Sequence, residues 1–225
     1  MKTITIRPFA FLKLITLVAL ATTLLLTGGC RWVGVKGNGD IKTDTRQVQD
    51  FTTMEADGAF HVTWTTGAPA LTITTDENLL EYIRTNVSDN KLRIDWVKPL
   101  RATGGIKINI ASSALHGAEL NGAVRLTAAN VNGQNFFLEA NGATRVNLDG
   151  SVDALVASLN GASRLDAEKL QTRSAELSIN GAGRADVSAS EMLKVAVSGA
   201  GKVTYKGSPK VRKEINGAGS VRRRD

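Results

Sequence analysis

Five basic residues recur along the second half of the sequence at nearly equal intervals, and they are the residues best suited to bind a charged ligand. Each follows the alanine of an Asn-Gly-Ala-like turn by two positions: Arg125, Arg145, Arg164, Arg184 and Lys202. Alternation of apolar and polar residues around them predicts that their side chains face outward. If the turns stack, these five cations form one basic stripe. It could bind an acidic polymer, or it could simply be a solvated face.

Carboxylates close to the basic stripe in sequence could neutralise it or could do chemistry. Outward positions before the turns hold Glu119, Glu139 and Glu214, and outward positions after them hold Asp166 and Asp186. Some parallel β-helices cleave polysaccharides with aspartates and basic residues on an outer face. A polysaccharide-cleaving enzyme built on Asp166 and Asp186 is therefore an alternative, although such sites normally interrupt a repeat with long loops.

No other pattern in the sequence indicates catalysis or metal binding. His61 and His116 stand in unlike contexts, without the neighbours that would make a catalytic base or a metal ligand set. There is no HExxH motif, no paired-cysteine spacing and no glycine-rich phosphate loop before a helix. We expect no catalytic residues, no cofactor and no metal site.

The turns that carry the basic residues form a regular internal repeat. Its copies begin at spacings of 20, 19, 20, 18 and 18 residues, at Asn121, Asn141, Asn160, Asn180, Ser198 and Asn216. Asparagine tolerates the left-handed backbone region and glycine adopts positive φ freely, so the turn suits a tight corner. A second break falls about midway between copies. Each period therefore predicts two strands and two turns.

Two all-β architectures fit this repeat. In an antiparallel β-meander, each Asn-Gly closes a two-stranded hairpin. In a single-stranded parallel β-helix, or β-solenoid, each period of about 18–20 residues is one coil, and equivalent residues stack about 4.8 Å apart. The solenoid is favoured because it places identical turns over one another and lets the corner amides form a hydrogen-bonded ladder. The apolar positions that flank the corners are small, which predicts a thin core.

The amino terminus has the pattern of a bacterial lipoprotein signal. Residues 1–29 carry Lys2, Arg7, Lys13 and no acidic residue, followed by an apolar and hydroxylic run. The run ends at Cys30, the only cysteine of the chain. This pattern resembles the signal that precedes a lipidated cysteine, and Arg31 after that cysteine favours the outer membrane. Acyl chains on Cys30 would anchor the protein to the membrane without spanning it.

Charge and cysteine content exclude several classes of protein. Without the three basic residues of the signal, the formal net charge of +7 falls to about +4, and arginines 222–224 supply much of the excess. A charge this small in an exported protein does not indicate nucleic-acid binding. No cysteine remains for a disulfide after lipidation, so packing must hold the fold together.

The chain divides into four predicted segments. Residues 1–29 form the signal peptide, residues 30–40 a flexible glycine-rich tether, residues 41–115 a β-rich part with a short helix, and residues 116–225 the regular solenoid repeats. The helix is predicted at "DENLLEYIR", from its acidic start and apolar spacing. The stretch "DGAF", from Asp57 to Phe60, echoes the later corners and is a candidate early corner.

Several stretches together resemble a known family. "TRQVQDFTTMEADGAFHVTWTTG", "DENLLEYI", "KLRIDW" and the chain of "NGA" turns are similar to the bacterial family of the "putative autotransporter adhesin, head GIN domain", over about residues 46–205. The resemblance implies a β-solenoid fold on bacterial envelope proteins that are often lipoproteins. It brings no catalytic residues.

Together these patterns predict an exported protein, lipid-anchored to the outer membrane. We expect a non-catalytic adhesive or structural binding module, with the membrane as one partner and an acidic polysaccharide or a protein of the envelope or host as another. Besides the polysaccharide-cleaving enzyme, a sensor or partner of an envelope-stress system is a further alternative.

Overall fold

The structure, a computed structural model, describes residues 34–224, and nearly all of the regular structure in this range is β-strand. The predicted signal peptide and Cys30 lie outside the described residues. The strands of the amino-terminal part are β1 (Val35–Lys36), β2 (Ile41–Arg46), β3 (Thr53–Gly58), β4 (Phe60–Thr66), β5 (Ala70–Asp76), β6 (Ile83–Ser88), β7 (Lys91–Trp96), β8 (Leu100–Arg101) and β9 (Ile106–Ser112). The repeat region forms β10 (Gly117–Gly122), β11 (Arg125–Gly142), β12 (Arg145–Gly161), β13 (Arg164–Gly181), β14 (Arg184–Gly199), β15 (Lys202–Lys206), β16 (Lys210–Gly217) and β17 (Ser220–Arg223).

The repeat region is a parallel β-solenoid. Strands β11 to β14 each run from one Asn-Gly corner to the next and pair in parallel, so that residues one period apart become partners. Val146, for example, pairs with Leu126 on one side and with Leu165 on the other. The predicted solenoid is confirmed, and the alternative antiparallel meander is wrong for this region because neighbouring coils run in the same direction.

Corner glycines allow the coils to approach closely. Gly142, Gly161 and Gly181 have φ values of 100°, 85° and 118°. A Cβ atom on any of them would lie 2.6–2.7 Å from the carbonyl oxygen of the corner glycine in the preceding coil. That oxygen instead accepts a hydrogen bond from the following alanine: Ala162 N donates to Gly142 O at 2.8 Å. Glycine is required here both by the backbone angle and by the space.

The core of the repeat region consists almost entirely of leucine, valine and alanine side chains. The residue directly after each corner alanine fills the inside of the corner. Its side chain becomes smaller from coil to coil, from Val124 through Thr144 and Ser163, which are all buried, to Gly183. At Gly183 the space is taken by the residue before the asparagine, since an added Cβ would lie 2.9 Å from Ile179 Cγ2. Neighbouring positions therefore share the same corner volume, as close packing requires.

The amino-terminal part contributes two further coils, in an order that differs from the sequence. Strands β3 and β4 form one coil, and β7 and β9 form another. The β3–β4 coil lies between the β7–β9 coil and the repeat region, because β3 pairs with both β7 and β10, and β4 pairs with both β9 and β11. Asp57 and Gly58 stand in register with Asn121 and Gly122, so "DGAF" is a corner of the same stack.

Antiparallel strands cover the amino-terminal coils. Strand β5 pairs with β2 and β9, and β6 pairs with β7, all antiparallel. The predicted short helix is a 3₁₀ helix, Glu77–Tyr82, which begins after the buried carboxylate of Asp76. Among residues 34–224, no helix has the length and apolar character needed to cross a membrane.

The predicted flexible tether is shorter than expected. Strand β1 pairs in parallel with β8, and Val35 N donates a hydrogen bond to Pro99 O at 2.9 Å. Further along, Gly39 N donates to Asp76 Oδ1 at 2.8 Å. Residues 35–40 are thus part of the folded body, because these backbone groups have found partners there, and the prediction of a tether reaching residue 40 is wrong.

At the carboxyl end, the last coil is held to earlier coils by Arg224. Its backbone N–H donates to Tyr205 O at 2.8 Å, and its guanidinium pairs with Asp186 at 3.1 Å and with Glu168. Lys206 also pairs with Glu168. This ion network connects the end of the final strand to β14, two coils away, and to β13, three coils away.

Candidate functional site

The basic stripe is an array of side chains in register on one face of the solenoid. Backbone pairing aligns Arg125 with Arg145, Arg145 with Arg164, Arg164 with Arg184, and Arg184 with Lys202. All five residues are exposed. The spacing follows from the fold, because each coil adds one residue to the column and paired strands lie about 4.8 Å apart.

Two residues of the amino-terminal coils continue the column, and the sequence reasoning missed both. His61 pairs with Arg125, and Lys107 pairs with His61. A signal for His61 existed, since it stands two residues after Ala59 in the "DGAF" corner. Lys107 carried no such signal, because its coil lacks the Asn-Gly-Ala turn. We call the seven residues of this column the extended basic stripe; in their order along the axis they are Lys107, His61, Arg125, Arg145, Arg164, Arg184 and Lys202.

His61 is close enough to the stripe to feel its charge. The Arg125 Nη1 atom lies 3.5 Å from His61 Nε2. Burial lowers the pKa of His61 below its ordinary value, and the positive charges of Arg125 and Lys107 lower it further. His61 is therefore neutral at neutral pH, and the permanent charges of the extended basic stripe are its arginines and lysines.

Most of the stripe has no acidic partner. Within residues 34–224, Arg164 is the only stripe residue that forms an ion pair with a carboxylate, at 3.8 Å from Asp186. Glu119 and Glu139, which the sequence suggested as partners, lie in strands on the far side of the corner, and Glu119 pairs there with Lys91 at 3.3 Å. The cations of Arg125, Arg145, Arg184 and Lys202 thus remain uncompensated in the described part of the chain.

A small cavity lies beside the stripe where it meets the corners. It has a volume of about 220 Å³ and is lined by His61, the three arginines Arg125, Arg145 and Arg164, and the corner alanines next to them. Three guanidinium groups around one concave site provide several N–H donors for a carboxylate or a phosphate. The arrangement can therefore bind an anion without any chemical step.

The two aspartates proposed as an alternative catalytic pair are adjacent but have structural contacts. Asp166 pairs with Asp186 across β13 and β14. The side chain of Asp186 is 8% exposed and lies in ion pairs with Arg224 and Arg164. Asp166 accepts a hydrogen bond from Glu168 N at 3.4 Å. No cluster of metal-ligating side chains occurs among the described residues.

The corner asparagines form a ladder along the edge of the solenoid. The Nδ2 atoms of Asn141, Asn160 and Asn180 donate to the Oδ1 atoms of the preceding asparagines at 2.9, 2.7 and 3.0 Å. Ser198 and Asn216 stand in register with them but, within residues 34–224, do not extend the amide ladder. The ladder links the corners of four consecutive coils, each of which carries a stripe arginine four positions after its asparagine.

Comparison with known proteins places the chain in a family. The profile described as "Putative auto-transporter adhesin, head GIN domain" matches residues 50–209. No curated protein sequence matches the chain.

Solved structures share the fold. A "putative adhesin" from Bacteroides fragilis NCTC 9343 is 22% identical, with a TM-score of 0.71 over 84% of this chain and 100% of that chain. A "putative adhesin" from Parabacteroides merdae ATCC 43184 is 19% identical, with a TM-score of 0.52 over 86% of this chain and 100% of that one. A "Putative lipid binding protein" from Parabacteroides distasonis ATCC 8503 is 24% identical, with a TM-score of 0.51 over 85% and 99%. At these identities the structures establish the fold alone.

The family profile covers most of the sequence, and the chain therefore belongs to the family described as "Putative auto-transporter adhesin, head GIN domain".

Proposed function

We propose that this protein is a lipid-anchored binding module of the bacterial cell envelope, and that its extended basic stripe binds an acidic polysaccharide. The family description indicates adhesion and an exported or cell-surface protein. The observation that carries the proposal is the column of stripe arginines and lysine in register, most of which have no carboxylate partner in the described part of the chain.

A repeating polyanion suits this arrangement better than a single small anion. The cations recur at about 4.8 Å along the solenoid axis, which is roughly the length of one sugar ring. A polymer with one carboxylate on each ring can therefore meet several stripe residues at once. Each exposed ion pair contributes only about 0.2–1 kcal/mol, so useful affinity requires several of them, and the stripe offers several.

Reversing two unpaired charges of the stripe tests the proposal. The double variant Arg145→Glu/Arg184→Glu is expected to lose about tenfold or more of the affinity for oligogalacturonate, because two attractive contacts become repulsive. Isothermal titration at low salt measures this, and the affinity of the original protein should fall steeply as salt is added.

The matched control changes the net charge equally at another place. Lys169→Glu/Arg212→Glu alters two exposed cations outside the stripe and is expected to retain nearly all of the affinity. Equal losses in both double variants would show that net charge, and not the stripe, attracts the polymer, and would reject the proposed site.

Anchoring through Cys30 makes a separate prediction. Cys30→Ser is expected to abolish metabolic labelling with palmitate and to move the protein from the membrane fraction to the soluble fraction, because no acyl chain remains. Thr27→Leu, which brings the signal closer to the usual lipoprotein pattern, is the control and should keep or increase labelling. Continued membrane association of an unlabelled Cys30→Ser protein would contradict lipid anchoring.

A further inference from the structure

A groove runs along the solenoid axis on the sheet face that lies across the corner from the basic stripe. It has a volume of about 400 Å³. Its first wall is a column of outward residues in register that includes Gly117, Phe137 and Val156. Its second wall is the column two residues further along each strand, which includes Glu119, Glu139 and Ser158. We call this feature the axial groove.

The middle of the first wall is apolar and exposed, and the same column continues into Thr53 and Lys91 at one end and into Glu176 at the other. Phe137 is 55% exposed and Val156 is 38% exposed, and they are neighbours in adjacent coils. Gly117, in the coil before Phe137, leaves a gap in the wall, and a Cβ there would lie 2.9 Å from the Phe137 carbonyl oxygen. The ring of Phe137 therefore borders a trough that has no side chain at Gly117.

The second wall is polar and negatively charged. Lys91 compensates Glu119 at 3.3 Å. Glu139 accepts a hydrogen bond from Asn141 Nδ2 at 3.1 Å, and no cation within residues 34–224 forms an ion pair with it. Ser158 and Ser178 continue this wall with hydroxyl groups. The wall offers hydrogen-bond acceptors and donors but repels anions.

The floor of the axial groove excludes one class of ligand. It is formed by the strand residues between the two walls, such as Ala118, Leu138 and Ala157, whose strands pair with neighbouring coils on both sides. A peptide that binds by adding a strand needs a free backbone edge, and this floor has none. Recognition must come from the side chains of the two walls.

We propose that the axial groove binds a linear glycan whose rings carry no acidic group. A sugar ring is two-sided: its C–H face packs on an aromatic ring such as Phe137, while its hydroxyl or amine groups reach the carboxylates and hydroxyls of the opposite wall. The length of the groove over several coils suits a chain of rings. Amine-bearing rings bind more tightly than neutral ones because Glu139 supplies an unpaired carboxylate. This site is independent of the basic stripe and of its proposed polyanion.

Titration with short oligomers of glucosamine, glucose and galacturonate tests the axial groove. The glucosamine oligomer is expected to bind more tightly than the glucose oligomer. Phe137→Ala is expected to weaken both by about tenfold, and Glu139→Gln is expected to remove the advantage of the glucosamine oligomer. Neither variant should weaken galacturonate binding. Both side chains are exposed, so circular dichroism should show an unchanged fold.

Matched controls separate this site from other surfaces. Met192→Ala truncates another exposed apolar side chain, 43% exposed, which lies outside the groove, and should leave all affinities unchanged. Arg145→Glu/Arg184→Glu should weaken only galacturonate binding. Phe137→Trp should keep glycan binding. The proposal is overturned if Phe137→Ala leaves both neutral and amine oligomers unaffected, or if an oligolysine peptide, and not the glycans, binds in a Phe137-dependent way.

Discussion

Gly161→Ala is expected to lower the free energy of unfolding by about 3–5 kcal/mol, one of the largest effects of any single substitution in the repeat. Gly161 has a φ of 85°, where a Cβ atom is disfavoured. The added Cβ would also lie 2.7 Å from Gly142 O, the oxygen that accepts the hydrogen bond from Ala162 N. Two coils would have to separate at the corner. Urea denaturation followed by circular dichroism measures the loss.

Substitutions at two other glycines separate the effect of the positive φ from the effect of the close contact with the neighbouring coil. Gly105 has a φ of 78°, but its nearest neighbour to an added Cβ is His61 Cε1 at 4.0 Å. Gly105→Ala should therefore cost only the backbone term, about 1–2 kcal/mol. At Gly67, φ is not positive and an added Cβ would meet only Ala111 Cβ at 3.8 Å, so Gly67→Ala should cost little. If Gly161→Ala were no worse than Gly105→Ala, close stacking of the corners would be wrong.

Asp76→Asn is expected to destabilise the amino-terminal coils strongly and to change the response of the protein to acid. The buried carboxylate accepts hydrogen bonds from Gly39 N at 2.8 Å, Thr103 N at 2.9 Å and Thr103 Oγ1 at 2.7 Å. An asparagine side chain keeps only one acceptor oxygen. Its NH₂ group would face the backbone N–H or hydroxyl group that now donates to the second carboxylate oxygen. The unfolding midpoint of Asp76→Asn should therefore fall clearly below that of the original protein.

The pH dependence follows from the pKa of Asp76. Burial alone raises this pKa, but the hydrogen bonds from Thr103 and Gly39 outweigh burial, so the pKa in the folded protein is below the ordinary value of 3.8. Stabilisation by the charged carboxylate is therefore complete above pH 3.8 and disappears as the pH falls through the lower folded-state pKa. The difference in stability between the original protein and Asp76→Asn should shrink over that range.

Asp50 provides the control for the acid response. It is exposed and accepts hydrogen bonds from Ser113 N and Ser113 Oγ, and the Ser113 hydroxyl is the main cause that lowers its pKa. Asp50→Asn should lower the unfolding midpoint much less than Asp76→Asn, because water can replace bonds at an exposed site. Equal effects of the two variants would show that Asp76 stabilises the amino-terminal part no more than an exposed carboxylate does.

The repeat could be predicted from the sequence because its signal is local. Every copy carries its own corner glycine. The Asn-Gly pair itself indicates a positive φ, which Gly142 and Gly161 adopt in the structure. Identical corners in phase favour the parallel stack over the meander, because only the stack places them over one another. The side-chain alternation around Arg145 likewise fixes which residues face outward.

Features that depend on distant pairing could not be predicted. Lys107 joins the stripe only because β9 pairs with β4, and nothing near Lys107 in sequence indicates that neighbour. Asp186 resembles a free catalytic carboxylate until Arg224, 38 residues away, is seen to reach it. The axial groove has the same origin, because Gly117 and Phe137 make a trough only when their coils are adjacent.

The position of the β3–β4 coil has a consequence for the order in which the coils can assemble. Its strands end at Thr66, yet one set of its partners, β10 and the start of β11, lies at residues 117–128. A chain that emerges from its amino terminus therefore delivers this coil before both of its neighbours exist. The edge that β3 and β4 share with β10 and β11 has no partner until residues 117–128 have emerged, so the coils cannot assemble strictly in the order of the sequence.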